Sequence, residues 1–295
     1  MRAVTLDVGG TLAEGRPDHV LYARRVLRLL ASRGYRVERE EWEEATRRAL
    51  GELGARRKEG REMSFQEFSS LQLSLLGVEP SPSLLEGMLS LYLLSFPRRL
   101  KRGARRMVEE LSSLYPLGAL SNSMSPAPRL FLEERGLARY FRVILVSGEV
   151  GYRKPHPEIF LRACRELGAS PQEAVHVGDR PDVDGAGAKA VGMAFVLLSP
   201  RTPGEGVEAD AVVPFPSEVP GAVRMLFRED REELLDSLGR RCAFCSSPHF
   251  SLYGEESPLL LCPDCRRSLG TPTGRPKKHG KYRAPYRRSW RPGSR

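Results

Sequence analysis

The stretch EAVHVGDRPDVDGAGAKAVGM, residues 173–193, decides the fold. Its apolar run Ala174–Val177 is a strand candidate that ends in Gly178-Asp179, and a second acid, Asp184, follows five residues later. Residues 183–190 then have helical spacing, and a new apolar run occupies 194–198. Strand, polar turn, helix, strand is the βαβ unit of a parallel sheet. Upstream the alternation repeats, with helices at about 103–114, 127–136 and 157–167 and strands at 117–120 and 143–146. Downstream, Ala211–Val213 is an edge-strand candidate, and the sheet ends by about Phe227. A first strand at 2–6 stands apart, because residues 17–96 read as helix throughout. Val20, Ala23, Val26, Leu27 and Leu30 recur at helical spacing up to Gly34. A second helix covers about 40–58, a third starts at a Ser64–Glu67 capping box, and a fourth runs from about 82 to 95, before Pro97. The expectation is an α/β fold with a helical insert after its first strand.

In open parallel sheets, ligands bind beyond the carboxyl ends of the strands. Four polar clusters fall at such ends: Asp7-Val8-Gly9-Gly10-Thr11-Leu12, Ser121-Asn122, Lys154-Pro155, and Gly178-Asp179 with Asp184. Each alone is a common turn or loop. Together they gather a carboxylate, a hydroxyl, a cation and two further carboxylates at one sheet edge.

This order and spacing resemble the haloacid-dehalogenase (HAD) superfamily, specifically members with a helical cap inserted after the first strand. The resemblance covers roughly residues 1–227 and includes HVGDRPDVDGAGAKAVGM, which is similar to the family's fourth motif. It implies a Rossmann-like core at 1–15 and 98–227 and a cap at 16–97. It implies a hydrolase acting on a small phosphorylated substrate, with Asp7 as covalent nucleophile forming an aspartyl-phosphate. Mg²⁺ would be held by Asp7, the Gly9 carbonyl and Asp179, hard oxygen donors of the kind that ion prefers. Lys154 would neutralise the nucleophile and the transferred group, Asp184 would orient a metal-bound water or Lys154, and Ser121 would hydrogen-bond a phosphoryl oxygen. Thr11 and Asn122 would support the substrate site by holding its loops.

Position 9 departs from the phosphatase pattern, which carries a second Asp two residues after the nucleophile as general acid. Gly9 cannot transfer a proton, and such an acid contributes about 10²–10⁴-fold. Three readings stay open: substrates with good leaving groups such as acyl or aryl phosphates, an acid recruited from the cap, or a degenerate enzyme. A dehalogenase or phosphonate-cleaving hydrolase also lacks the acid. Asp179, which a metal-free dehalogenase does not need, favours phosphatase-like chemistry.

The C-terminus has its own composition. Cys242-x-x-Cys245 and Cys262-x-x-Cys265, with sixteen residues between the pairs, match zinc-ribbon spacing with a hairpin between them. A structural Zn²⁺ held by four thiolates is expected for residues 241–266, behind a charged linker at 228–240 that separates the module from the sheet. The fifth cysteine, Cys164, lies on the apolar face of a helix and reads as a core thiol. The chain's net charge of +10 is concentrated in residues 266–295, which hold eleven Lys or Arg and no Asp or Glu. That basic tail, 267–295, carries Tyr282, Tyr286 and Trp290 and is expected to be disordered in isolation. Basic residues with aromatics suit nucleic acid, so residues 242–295 are a candidate nucleic-acid surface, with a protein contact as the alternative. The apolar stretch Leu84–Phe96 contains Glu86 and Ser90 and is too short to span a membrane. With no recognisable signal peptide, a cytoplasmic location is the expectation.

Overall fold

A computed structural model describes residues 2–201, 208–228, 235–236, 238–247, 251–253 and 259–269. β1 (Ala3–Asp7) runs into a two-residue β2 (Ala13–Glu14), and four helices follow: α1 (His19–Ser32), α2 (Arg39–Lys58), α3 (Phe65–Leu75) and α4 (Pro82–Leu94). β3 (Arg99–Leu100) brings the chain back. Then come α5 (Ala104–Ser112), β4 (Leu117–Ser121), α6 (Ala127–Glu134), β5 (Phe141–Val146), α7 (Ser147–Val150) and α8 (Pro157–Leu167). β6 (Ala174–Gly178), α9 (Ala186–Ala190), β7 (Ala194–Leu198), β8 (Ala211–Val213) and α10 (Val219–Leu226) complete the layered part. A hairpin of β9 (Ser251–Tyr253) and β10 (Leu259–Leu261) precedes α11 (Pro263–Leu269).

Six strands form one parallel sheet in the order β5-β4-β1-β6-β7-β8. Every residue of β1, β4 and β6 is buried, as expected when helices cover both faces of a parallel sheet. One apolar layer joins Leu6, Met107, Leu111 and Val177 on one face; on the other, Phe160, Ala163, Leu167 and Phe195 pack with Cys164, which is 2% exposed. Strand order reverses at β1, because the chain goes from β1 to β4 and β5 on one side and then crosses to β6 on the other. Such a reversal opens a crevice at the carboxyl ends.

The four inserted helices enclose an apolar cluster of their own around Val26, Trp42, Phe65, Leu73, Leu84 and Met88. Side chains of this size contribute about 1.5–3 kcal/mol each on burial, so the cluster is a core in its own right. The capping box at Ser64 is present: Ser64 Oγ accepts from Glu67 N at 3.1 Å, and Glu67 accepts from Ser64 N at 2.8 Å. The entry to and exit from the helices are tied together. β2 and β3 pair antiparallel, with Ala13 opposite Leu100 and Glu14 opposite Arg99, a ribbon too short to read from the sequence.

Two expectations need correction. The helix expected from 183 begins as a wider π turn over Pro181–Gly185, and the regular helix starts only at Ala186. The cause is local: the N–H groups of Val183, Asp184 and Gly185 all converge on the Arg180 carbonyl. The second correction concerns the cysteine module. β9 lies against α10 and β8, and Arg266 Nε pairs with Glu218 Oε1 at 3.0 Å, so the module rests on the edge of the sheet rather than apart from it. The basic tail from 270 onward and most of the linker lie outside the described residues.

Candidate active site

Asp7 ends β1, the strand at the topological reversal, and its side chain is 8% exposed. Lys154 comes from the loop beyond β5, two strands away, and crosses below the end of β4. Its ammonium donates to Asp7 Oδ1 at 2.7 Å and to the Leu120 carbonyl at 2.9 Å, and pairs with Asp184 Oδ1 at 2.7 Å. Asn122 fixes that reach: its Nδ2 donates to the Lys154 carbonyl and its Oδ1 accepts from Lys154 N, both at 2.8 Å. Its amide is thereby committed to Lys154. Asp184 Oδ2 accepts from Arg180 N at 3.0 Å, a bond made possible by the π turn.

Asp7, Asp179 and Asp184 bring carboxylate oxygens within 4.8 Å of one another. Gly10, with φ at +95°, lies so close to Asp179 that a Cβ there would run into its carboxylate. Ser121 is 4% exposed at the end of β4. Thr11 is fully buried, and its hydroxyl has no hydrogen-bond partner among the described residues, so it belongs to the loop's interior.

Several participants are not legible in the motifs. His176, wholly buried, bridges Thr5 Oγ1 at 2.8 Å and Asp184 Oδ1 at 3.3 Å, with the donor in each contact set by its tautomer. A histidine inside an otherwise apolar strand is the only sequence signal for it. Lys101 Nζ donates to the Gly10 carbonyl at 2.5 Å, holding the loop after Asp7. The cap contributes Glu62, whose buried carboxylate accepts from Arg57 at 2.9 and 3.2 Å and from Ser147 Oγ at 3.3 Å.

Three carboxylates against one buried ammonium leave excess negative charge. Burial, and then the neighbouring Asp184, push Asp7 up to about 7 in spite of Lys154. Asp179 is raised for the same two reasons. Burial also opposes ionisation of Asp184, but Lys154 and His176 outweigh it and hold the carboxylate well below the usual range. Burial lowers Lys154, yet Asp184 and Asp7 raise it further, so it stays charged. Asp7 Oδ2 and Asp179 Oδ1 are buried with no hydrogen-bond partner among the described residues. Two orphaned carboxylate oxygens in an over-negative site suit a small, hard divalent cation.

A cavity of 960 Å³ separates this edge from the helices. Gly9, Ser121, Asn122 and Asp179 line its sheet side, and Arg57, Tyr92, Phe96 and Arg98 its helical side. Gly9 is exposed, and a Cβ added there would meet nothing within 4 Å.

A family model for haloacid dehalogenase-like hydrolases matches residues 1–192. The chain belongs to this family. Among HAD relatives, a glyceraldehyde 3-phosphate phosphatase from Methanothermobacter thermautotrophicus is 25% identical over 201 residues, covering 68% of this chain and 86% of that protein. One of the same name from Methanopyrus kandleri is 39% identical over 84 residues, but the match spans only 28% of this chain and 36% of the relative. A Thermus thermophilus phosphoserine phosphatase is 40% identical over 82 residues, 28% of this chain and 33% of its own length. Among solved structures, a HAD phosphatase from Thermococcus onnurineus aligns with a TM-score of 0.52 at 28% identity, covering 74% of this chain and 96% of that one. A 2-haloacid dehalogenase from Pseudomonas syringae pv. tomato aligns with a TM-score of 0.56 at 24% identity, covering 77% of this chain and all of that one, which speaks to the fold alone.

The four C-terminal cysteines also meet. Their sulfurs lie within 4.8 Å of one another, with Cys245 Sγ 3.5 Å from Cys262 Sγ. Cys242, Cys262 and Cys265 are buried, and the β9–β10 hairpin joins the two pairs as the spacing requires. Burial pushes Cys245 up to about 12, while hydrogen bonds from Cys262 and Cys265 hold Cys242 well below the usual thiol range. Among the described residues no helix is long and apolar enough to cross a membrane.

Proposed function

We propose that this HAD hydrolase is a Mg²⁺-dependent phosphatase working through an aspartyl-phosphate on Asp7. The observation that carries the reading is the Asp7–Lys154–Asp184 ion network beside Asp179, with orphaned oxygens on Asp7 and Asp179. Asp7, the Gly9 carbonyl and Asp179 would hold Mg²⁺, which supplies positive charge for the phosphoryl oxygens.

The chain's residues account for the rest. One Asp7 oxygen attacks phosphorus, the bond to the leaving oxygen breaks, and that oxygen departs with the electron pair. Water then attacks phosphorus, releasing phosphate and restoring the Asp7 carboxylate. Lys154 favours the ionised form of Asp7 and orients it, and Asp184 with His176 behind it keeps Lys154 in place. Ser121 donates its hydroxyl to a phosphoryl oxygen. No acid stands at position 9, so the leaving oxygen departs unprotonated, which favours aryl and acyl phosphates. A dehalogenase would have no use for Asp179.

p-Nitrophenyl phosphate tests this directly. With Mg²⁺ the protein should release p-nitrophenol, and EDTA should stop it. Asp7→Asn, nearly isosteric, should lose about a thousandfold or more while keeping the wild-type circular dichroism spectrum. Turnover unaffected by EDTA, or an Asp7→Asn rate within tenfold of wild type, would remove the covalent, metal-assisted mechanism. The C-terminal cysteines are proposed to hold one structural Zn²⁺, and residues 242–295 to bind nucleic acid, on the strength of the thiol cluster and the concentrated positive charge beyond it.

A further inference from the structure

The cavity lined by Gly9, Ser121 and Asp179 has a helical side that the chemistry just described does not use. Arg98 lies there, at the point where the chain leaves the cap helices and enters β3. Four arginines line the cavity, and they are not equivalent. Arg57 is engaged by Glu62, Arg99 pairs with Glu14 at 2.8 Å, and Arg16 is exposed to solvent. Arg98 has no carboxylate partner among the described residues, and its Nη1 is buried without a hydrogen bond. Its guanidinium is 3.9 Å from the centre of the Phe96 ring, which fixes its plane. Its carbonyl accepts from Arg135 Nη2 at 3.3 Å, and the close approach of Gly15 to Pro97 and Arg98 anchors the backbone. The result is a cation stacked on Phe96, partly stripped of water, lining the same cavity as Ser121 and Asp179. A buried polar atom without a partner is costly unless a ligand completes it.

We infer that Arg98 is the counter-ion for a second anionic group, so that the phosphate ester taken by this site carries a carboxylate or another phosphate beyond the phosphoryl group it loses. The inference rests on the phosphatase reading for the identity of the reacting group, but the anion subsite itself does not. The planar guanidinium suits two-point contact with either anion. Tyr92 and Phe96 beside it give the leaving group an apolar wall.

Three phosphonates that share a two-methylene spacer separate the possibilities: propylphosphonate, 3-phosphonopropionate and ethane-1,2-diphosphonate, titrated calorimetrically into the full-length Mg²⁺ form at constant ionic strength. At least one doubly anionic compound should bind about tenfold or more tightly than propylphosphonate. Which one does so distinguishes carboxylate from phosphate as the second group. Arg98→Met should bring the three within about twofold, and Arg98→Lys, which keeps the charge, should retain part of the preference. Equal binding of all three by the wild type overturns the inference without needing any variant, as does a preference that survives Arg98→Met or no binding at all. The two readings fail separately. Hydrolysis of p-nitrophenyl phosphate without anion preference would sink this subsite alone. An Arg98-dependent preference in a protein that hydrolyses no phosphate ester would sink the phosphatase reading and leave the subsite standing.

Discussion

Position 9 sets how the rate depends on the leaving group. A Cβ added at Gly9 would meet nothing within 4 Å, so a side chain can start there without displacing a neighbour. Gly9→Asp should therefore fold normally and supply the missing proton donor. In the wild type, rates should fall steeply as the leaving group becomes more basic, with phenyl phosphate far ahead of an alkyl phosphate. The variant should flatten that dependence and raise alkyl phosphate turnover by up to about a hundredfold. A flat dependence in the wild type would mean that another group already donates the proton. Position 10 behaves oppositely, because Asp179 occupies the space a Cβ would need.

At the scale of elements, the β2–β3 ribbon is the base on which the helices stand. Its two strands join the end of the Asp7 loop to the chain's return from α4, so ribbon geometry sets the position of the helical side of the cavity. Gly15 makes this possible. Its φ is +147°, and an added Cβ would collide with the Pro97 carbonyl. Gly15→Ala should destabilise the protein by about 1–3 kcal/mol and lower its melting temperature by several degrees. It should also raise KM for p-nitrophenyl phosphate more than it lowers kcat, because the Asp7–Lys154 pairing does not depend on the ribbon. A melting temperature within one degree of wild type, taken here as about the reproducibility of the scan, would show that the crossover relaxes freely.

On the scale of the whole molecule, the cysteine module and the hydrolase fold share a boundary. The hairpin rests on α10 and the edge strand β8, and Arg266 meets Glu218 across it. Residues 241–266 are too few to bury a stable core of their own, so metal should hold them together. The purified protein should contain about one zinc per chain, and Cys262→Ser should release it. Because the module covers a sheet edge, losing zinc should also lower the main melting transition, which a module tethered only by a flexible linker would leave untouched. The basic tail predicts a separate property. Full-length protein should bind RNA or DNA at low salt with an affinity that drops steeply as salt rises, and truncation after Phe227 should abolish it. Absence of binding in the full-length protein would turn the proposal towards a protein partner.

The sequence by itself determined the alternation of strands and helices, the four-helix insert, and the residues Asp7, Ser121, Lys154, Asp179 and Asp184, because periodicity and turn chemistry are local and polar residues after apolar runs mark strand ends. It also determined the two cysteine pairs, whose spacing is a local property of a metal knuckle. Only the tertiary structure decided how these parts meet. Lys154 reaches Asp7 because β4 lies between their strands and Asn122 grips the lysine's backbone. His176 supports Asp184 because strand β6 turns it inward, a fact invisible in a run of apolar neighbours. Asn122 braces the backbone of Lys154, Arg98 has no carboxylate partner among the described residues, and the cysteine module settled on the sheet edge. Each of these depends on residues far apart in the chain, whose proximity is set by strand order and packing and leaves no periodic trace.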